Sequence, residues 1–175
     1  MSFRGDKNLA RPRNLGVIRP LEPMDDVQPD PELFHTDIRV RFADVDHAGI
    51  IFFAKIFEYC HCALEDLQRQ AGIPLESFFS EARRLGAPLV DARAAFYAPF
   101  RHGVLMRVEV GFEKLGERSV HTRFRCFLED GKLGAEVRFV QSFIDTATFR
   151  SRSIPDDVRA ALAPYAIGTR APLVT

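Results

Sequence analysis

The residues with most chemical capacity lie close together between Asp44 and Phe53, where Asp44-Val45-Asp46-His47-Ala48-Gly49 forms a turn sequence ahead of a long apolar-striped segment that stops at Gly72 and Pro74. A helix beginning near Phe53 has backbone N–H groups with no partner inside the helix, and they carry the positive end of the macrodipole. Such a helix start favours an acceptor oxygen or a developing negative charge. Asp46 adds a carboxylate that can attack a carbonyl or take a proton from water. A positioned acid beside a row of donors is the equipment of acyl transfer. The plainer alternative is that Asp46 caps the turn or the helix. Asp44 is the better residue for fastening the turn, because short acidic side chains bond nearby backbone N–H groups.

Regular elements must hold this turn in place, and the periodicities supply them. Thr36 to Phe42 sets Ile38, Val40 and Phe42 against Asp37, Arg39 and Arg41, the rhythm of a half-buried strand. From Phe53 the period becomes helical: Phe57, Cys60, Leu64, Leu67 and Ala71 share a stripe widened by Ile56 and Ala63, with Glu58, Glu65, Gln68 and Arg69 opposite. Gly72 and Pro74 are its stop signals. Phe78 and Phe79 either pack on this helix or shape a pocket entrance. After Pro88, alternation returns around Val90–Phe96, Val104–Phe112, Val120–Leu128 and Ala135–Phe143, with Gly116 and Asp130-Gly131 as turns, so that three of these strands form a meander. Pro155-Asp156-Asp157 starts a short last helix reaching Ala163.

One strand, a long helix and four more strands make an α+β chain in which an antiparallel sheet covers an apolar helix. Three segments result: a Pro-rich, mobile extension over 1–34, the folded domain over 35–150, and a short helix and tail over 151–175. Met1 to Glu32 holds five of the eleven prolines and neither periodicity, although Leu15-Gly16-Val17-Ile18 has the apolar character to dock on the body or on a second subunit.

Composition limits the functions open to the chain. At 175 residues it is one domain, large enough to bury about 70% of its extended-chain surface. Twenty-four basic and 24 acidic residues balance, so no excess charge calls for nucleic acid or an anionic membrane. Sixteen Phe and no Trp furnish an aromatic core or a greasy ligand tunnel. Cys60, Cys62 and Cys126 form no paired framework, and the N-terminus lacks the apolar core of a signal peptide, which leads to a cytoplasmic expectation. Cys60-His61-Cys62 resembles a metal motif, yet side chains two apart on a helix diverge; the expectation is no metal, with Cys60 in the core and Cys62 on another face.

The run RFADVDHAGIIFFAKIFEYCHCALEDLQRQAGIPL resembles the signature of the 4-hydroxybenzoyl-CoA thioesterase family of hotdog-fold enzymes: a strand, D-x-D-x-x-G-[IV]-[IV] and a long helix. The likeness continues more weakly to Ile144. It implies the hotdog fold, a five-stranded antiparallel sheet wrapped around a long central helix, and a homodimer or homotetramer whose sites lie between subunits. It implies hydrolysis of an acyl-CoA with Asp46 as the catalytic carboxylate and the Phe53 backbone amide as donor to the thioester oxygen. No separate cofactor is expected, since coenzyme A is part of the substrate. Around the acyl group the resemblance places Gly49, Phe57 and His61; a His at that helix position meets a polar ring substituent or simply packs. His47 is expected in solvated loop. Phe53 departs from relatives that carry His there, which removes one proton-transfer route and favours an aryl-CoA of benzoyl type. Lys114, Arg118 and Ser119 fall at the turn where the family meets the coenzyme phosphates. The alternative role is a non-catalytic hotdog domain that binds acyl-CoA or acyl-carrier protein.

Overall fold

The structure is a computed structural model and describes residues 27–73, 76 and 82–167. Most of the proline-rich extension, Phe78-Phe79, the Pro74 stop and the last eight residues lie outside the described residues. In chain order the elements are β1 (Phe34–Arg39), α1 (Lys55–Gln70), β2 (Leu85–Gly86), β3 (Leu89–Phe96), β4 (Leu105–Leu115), β5 (Ser119–Phe127), β6 (Leu133–Ser142), β7 (Ile144–Asp145) and α2 (Asp156–Leu162). Five strands form one antiparallel sheet in the order β1-β4-β5-β6-β3, and β2 pairs with β7. The fold is α+β.

Period-two alternation turns one face of this sheet toward α1. Met106, Val108, Val110 and Phe112 of β4, Val120, Phe124 and Cys126 of β5, and Ala135, Val137 and Phe139 of β6 are all buried there. From the 16-residue helix, Ile56, Tyr59, Cys60, Ala63, Leu64, Leu67 and Gln68 meet them at i, i+3, i+4 spacing. Gln68 is the exception to the sequence pattern, which set it on the polar side; its burial widens the stripe by one position. Cys60 Sγ lies 3.9 Å from Cys126 Sγ inside this core, and burial holds the Cys60 thiol well above its ordinary pKa. Cys62 is exposed.

At the Asp46 turn both flanking boundaries differ from the sequence reading. β1 ends at Arg39, and Phe42–Asp44 coils into one 3-10 turn that leaves Phe42 exposed instead of continuing the buried alternation. That coil re-aims the chain from the sheet into the Asp46 turn. The helix starts at Lys55 rather than Phe53, with Ala54 as its N-cap residue.

The ends of the folded body are bound to it. Asp30 N–H donates to Glu109 Oε1 at 2.8 Å, on the sheet face turned away from α1. Arg125 holds the other oxygen of that carboxylate at 2.7 Å. Glu109 is buried, and burial outweighs the arginines in raising its pKa. At the other end the Arg159 guanidinium of α2 donates to the Leu115 and Gly116 carbonyls, and Ile167 N–H donates to Phe112 O. The segment 151–167 therefore packs as part of the same body.

β3 forms one edge of the sheet. Leu89, Val90 and Phe96 are exposed along it. Such an apolar edge is a template for strand pairing.

Candidate active site

The turn after β1 is tied closed at its base. Asp46 N–H donates to Ile50 O at 2.9 Å, Val45 bridges Ile51, and Gly49 N–H donates to Asp46 O at 2.9 Å. Gly49 sits at φ +73°, a left-handed conformation that glycine adopts without a Cβ penalty. Ala48 N–H donates to Asp46 Oδ1 at 2.8 Å, an Asx turn that fixes the carboxylate. Among the described residues, Oδ2 makes no hydrogen bond, and the side chain is exposed.

Just beyond, Ile51 N–H donates to Phe100 O and Phe52 N–H to Asp44 O, both at 2.8 Å, and Lys55 N–H donates to Phe52 O. Among the described residues, no acceptor is bonded to the N–H of Phe53 or Ala54. These two donors stand at the N-terminal end of α1, where the helix dipole reinforces them. The later helix start keeps the Phe53 amide outside the helix and leaves its hydrogen open to an incoming oxygen.

Asp46 and Phe53 line the same cleft, of about 380 Å³, with Ile50, Ile51, Phe52, Phe96, Tyr97, Ala98 and Pro99. Its walls are apolar and aromatic. Phe53 is 61% exposed and its ring leans on Phe52 with centroids 4.7 Å apart. Phe96 ends β3, and Tyr97, Ala98 and Pro99, which complete the cleft, follow the strand, where periodicity gives no sign of them. Tyr97 N–H and Ala98 N–H both donate to Gly134 O, which pins this wall to β6.

The remaining sequence-selected residues do not line this cleft. Gly49 shapes the turn, and Phe57 is half-buried beside Phe139, the two rings stacked at 6.2 Å. His61 is on the open flank of α1, where its Nδ1 is 2.9 Å from Glu65 Oε1. His47 is exposed in the turn. Lys114, Arg118 and Ser119 sit at the β4–β5 turn, with Arg118 Nε 3.2 Å from Glu117 Oε1 and Gly116 N–H bonded to Ser119 O. The Asp46 turn lies at the other end of β4, whose 11 residues span on the order of 33 Å at about 3.3 Å each. Within the chain the acid and the basic turn thus stand at opposite ends of the sheet.

Sequence reasoning missed Tyr59. It stands on the core stripe of α1, yet its hydroxyl donates to Asp44 Oδ2 at 2.7 Å and accepts from Arg41 N–H at 3.3 Å. The available signal was an aromatic residue with a polar end on a buried stripe, which needs a partner.

The family model described as the thioesterase-like superfamily matches residues 40–162. A 1,4-dihydroxy-2-naphthoyl-CoA hydrolase of Thermosynechococcus vestitus is 33% identical over 92 residues, 53% of this chain and 62% of that relative. The chain therefore spans under two thirds of that relative's length. A protein of the same name from Prochlorococcus marinus is 27% identical over 137 residues, 74% of this chain and 89% of its own length. Among solved structures, a 1,4-dihydroxy-2-naphthoyl-CoA thioesterase from Synechocystis superposes with a TM-score of 0.70 at 21% identity, covering 74% of this chain and 95% of that one. That last likeness is one of fold.

Proposed function

The chain belongs to the thioesterase-like superfamily, and from that premise we propose that it is an acyl-CoA thioesterase acting on an aryl-CoA, with Asp46 as its catalytic carboxylate. The family assignment is broader than the 4-hydroxybenzoyl-CoA branch, and the relatives described above carry a dihydroxynaphthoyl-CoA name instead. Both names denote a flat ring beside the thioester. The observation that carries the reading is the cleft that Asp46 and Phe53 line together with aromatic residues, the Phe53 N–H having no acceptor among the described residues.

In this reading the thioester carbonyl oxygen accepts from the Phe53 N–H, and the developing oxyanion is stabilised at the end of α1. The Asx turn orients Asp46 through Oδ1, and Oδ2 does the chemistry. It attacks the carbonyl carbon to give a mixed anhydride that water opens, or it takes a proton as water adds. In both routes the C–S bond breaks, the coenzyme leaves as a thiol and one water is consumed; its oxygen enters the acid directly in the general-base route, whereas an anhydride opened at the Asp46 carboxyl carbon sends the aspartate oxygen into the acid and keeps the water oxygen on Asp46. Single turnover in H₂¹⁸O separates them, because only the anhydride route places ¹⁶O from Asp46 in the first product.

We place the coenzyme across two subunits. Pairing the β3 edge with the β3 of a second copy about a two-fold axis, as hotdog proteins commonly do, brings the partner's β4–β5 end toward the Asp46 cleft. The exposed Leu89, Val90 and Phe96 would be covered, and Lys114, Arg118 and Ser119 of one chain would serve the acid of the other.

A panel of CoA esters followed with a free-thiol reagent tests the activity. The expected result is turnover with naphthoyl- and benzoyl-type esters at a higher kcat/KM than with acetyl- or butyryl-CoA. Binding of all of them with no thiol released would mark a non-catalytic acyl-CoA domain.

A further inference from the structure

Asp44, on one flank of the Asp46 turn, is held from three sides by groups on the other flank. Its Oδ2 accepts from Tyr59 Oη at 2.7 Å, its Oδ1 lies 3.5 Å from Lys55 Nζ, and its backbone oxygen accepts from Phe52 N–H at 2.8 Å. Tyr59 is 7% exposed and its ring packs in the core, so its hydroxyl cannot swing away to solvent. The same oxygen accepts from Arg41 N–H, and Lys55 is steadied by Glu58 at 2.7 Å. Residues 41 and 44 precede the acid, whereas 52, 55 and 59 follow it.

We propose that Tyr59, through Asp44, is a positioning residue that sets the separation between the Asp46 carboxylate and the Phe53 amide. This inference rests on the thioesterase reading for its catalytic consequence, but the clamp itself is independent of it. The chain leaves β1 at Arg39 and enters α1 at Lys55, and the Asp46 hairpin projects from the gap. Two backbone bonds, Asp46 N–H to Ile50 O and Phe52 N–H to Asp44 O, close that hairpin. Side-chain anchorage to the helix core comes from Tyr59 and Lys55. Burial first, and then the carboxylate beside it, raises the Tyr59 pKa, which keeps the hydroxyl a donor.

Tyr59→Phe removes the hydroxyl and keeps the packed ring, so the fold is retained. Two readouts follow in the full-length protein: hydrogen exchange at the Asp46 and Phe52 amides, and kcat and KM for the best CoA ester. The proposal expects faster exchange at those two amides with β4–β6 unchanged, a fall in kcat on the order of tenfold, and KM within about twofold. In an Asp44→Ala background the same change should cost nothing further. Unchanged exchange, or faster exchange with normal kcat, would overturn it. So would additive losses in the double variant, which would show Tyr59 acting by another route. If the wild-type protein hydrolyses no CoA ester, the thioesterase reading fails, and amide exchange alone then decides whether Tyr59 holds the turn.

Discussion

Gly134 offers a sharp test of how the core supports the cleft. It lies on β6, and a Cβ placed there would stand 2.8 and 2.9 Å from Phe100 Cε2 and Cε1, with Cζ nearer still. Phe100 has no exposed surface, so its ring has no solvent side to retreat into. Gly134→Ala must therefore move the ring, the β6 backbone or both, an overpacking cost of about 1–3 kcal/mol. For a chain of this size each kcal/mol shifts Tm by roughly 2–4 °C, so calorimetry should show a fall of roughly 2–12 °C. The site should feel it too. Phe100 O receives the Ile51 N–H at the base of the turn, and Gly134 O receives both N–H groups of Tyr97 and Ala98 in the cleft wall. Turnover should fall in the folded variant. Phe100→Leu in the same chain removes the clashing atoms, so the double variant should melt higher than the sum of the single losses requires. A Gly134→Ala protein that melts and turns over like the wild type would refute the close approach.

Arg118→Ala should raise KM for a CoA ester severalfold with kcat little changed, the mark of lost uniform binding, and normal kinetics in both it and Lys114→Ala would place the coenzyme elsewhere. Val90→Lys puts a charge on the free edge of β3; light scattering should show the assembly halved in mass and turnover lost, with the circular dichroism of each chain retained. Unchanged mass and rate would remove that edge from the interface. The Arg84 guanidinium, bonded at 2.8 Å, leads the effects that hold the Asp145 carboxyl below its ordinary pKa. The folded carboxyl is thus the stronger acid, and its stabilising effect is present above the ordinary aspartate pKa and lost as pH falls through the lowered value. In Arg84→Ala an NMR titration should find the Asp145 midpoint moved up, and an unmoved midpoint would contradict that cause.

Local rules made much of this architecture legible. The alternation in Val104–Phe112 and Val120–Leu128, and the helical stripe through Cys60, Leu64 and Leu67, name the faces that meet in the core. The Asp46 turn was legible because Gly49 and two short acids constrain the backbone strongly over six residues. What periodicity could not carry was anything set by distant partners. It ran β1 on to Phe42, because alternation cannot sense that Asp44 is drawn back onto Tyr59. It leaves residues 97–99 unnoticed as a cleft wall, since Tyr97 and Ala98 are pinned by the distant Gly134. It could not see that Lys114 and Arg118 stand at the far end of the sheet from Asp46, because strand order is a long-range property.

Everything proposed about chemistry turns on the carboxylate of Asp46. Asn keeps its shape and the oxygen that accepts from Ala48 N–H, but it has no negative charge to attack or to take a proton. Asp46→Asn, measured by thermal unfolding and by single-turnover hydrolysis on one preparation, should melt as the wild type does and lose on the order of 10²-fold or more in rate. A variant that turns over at close to the wild-type rate would contradict the account and leave Asp46 as the cap of a turn.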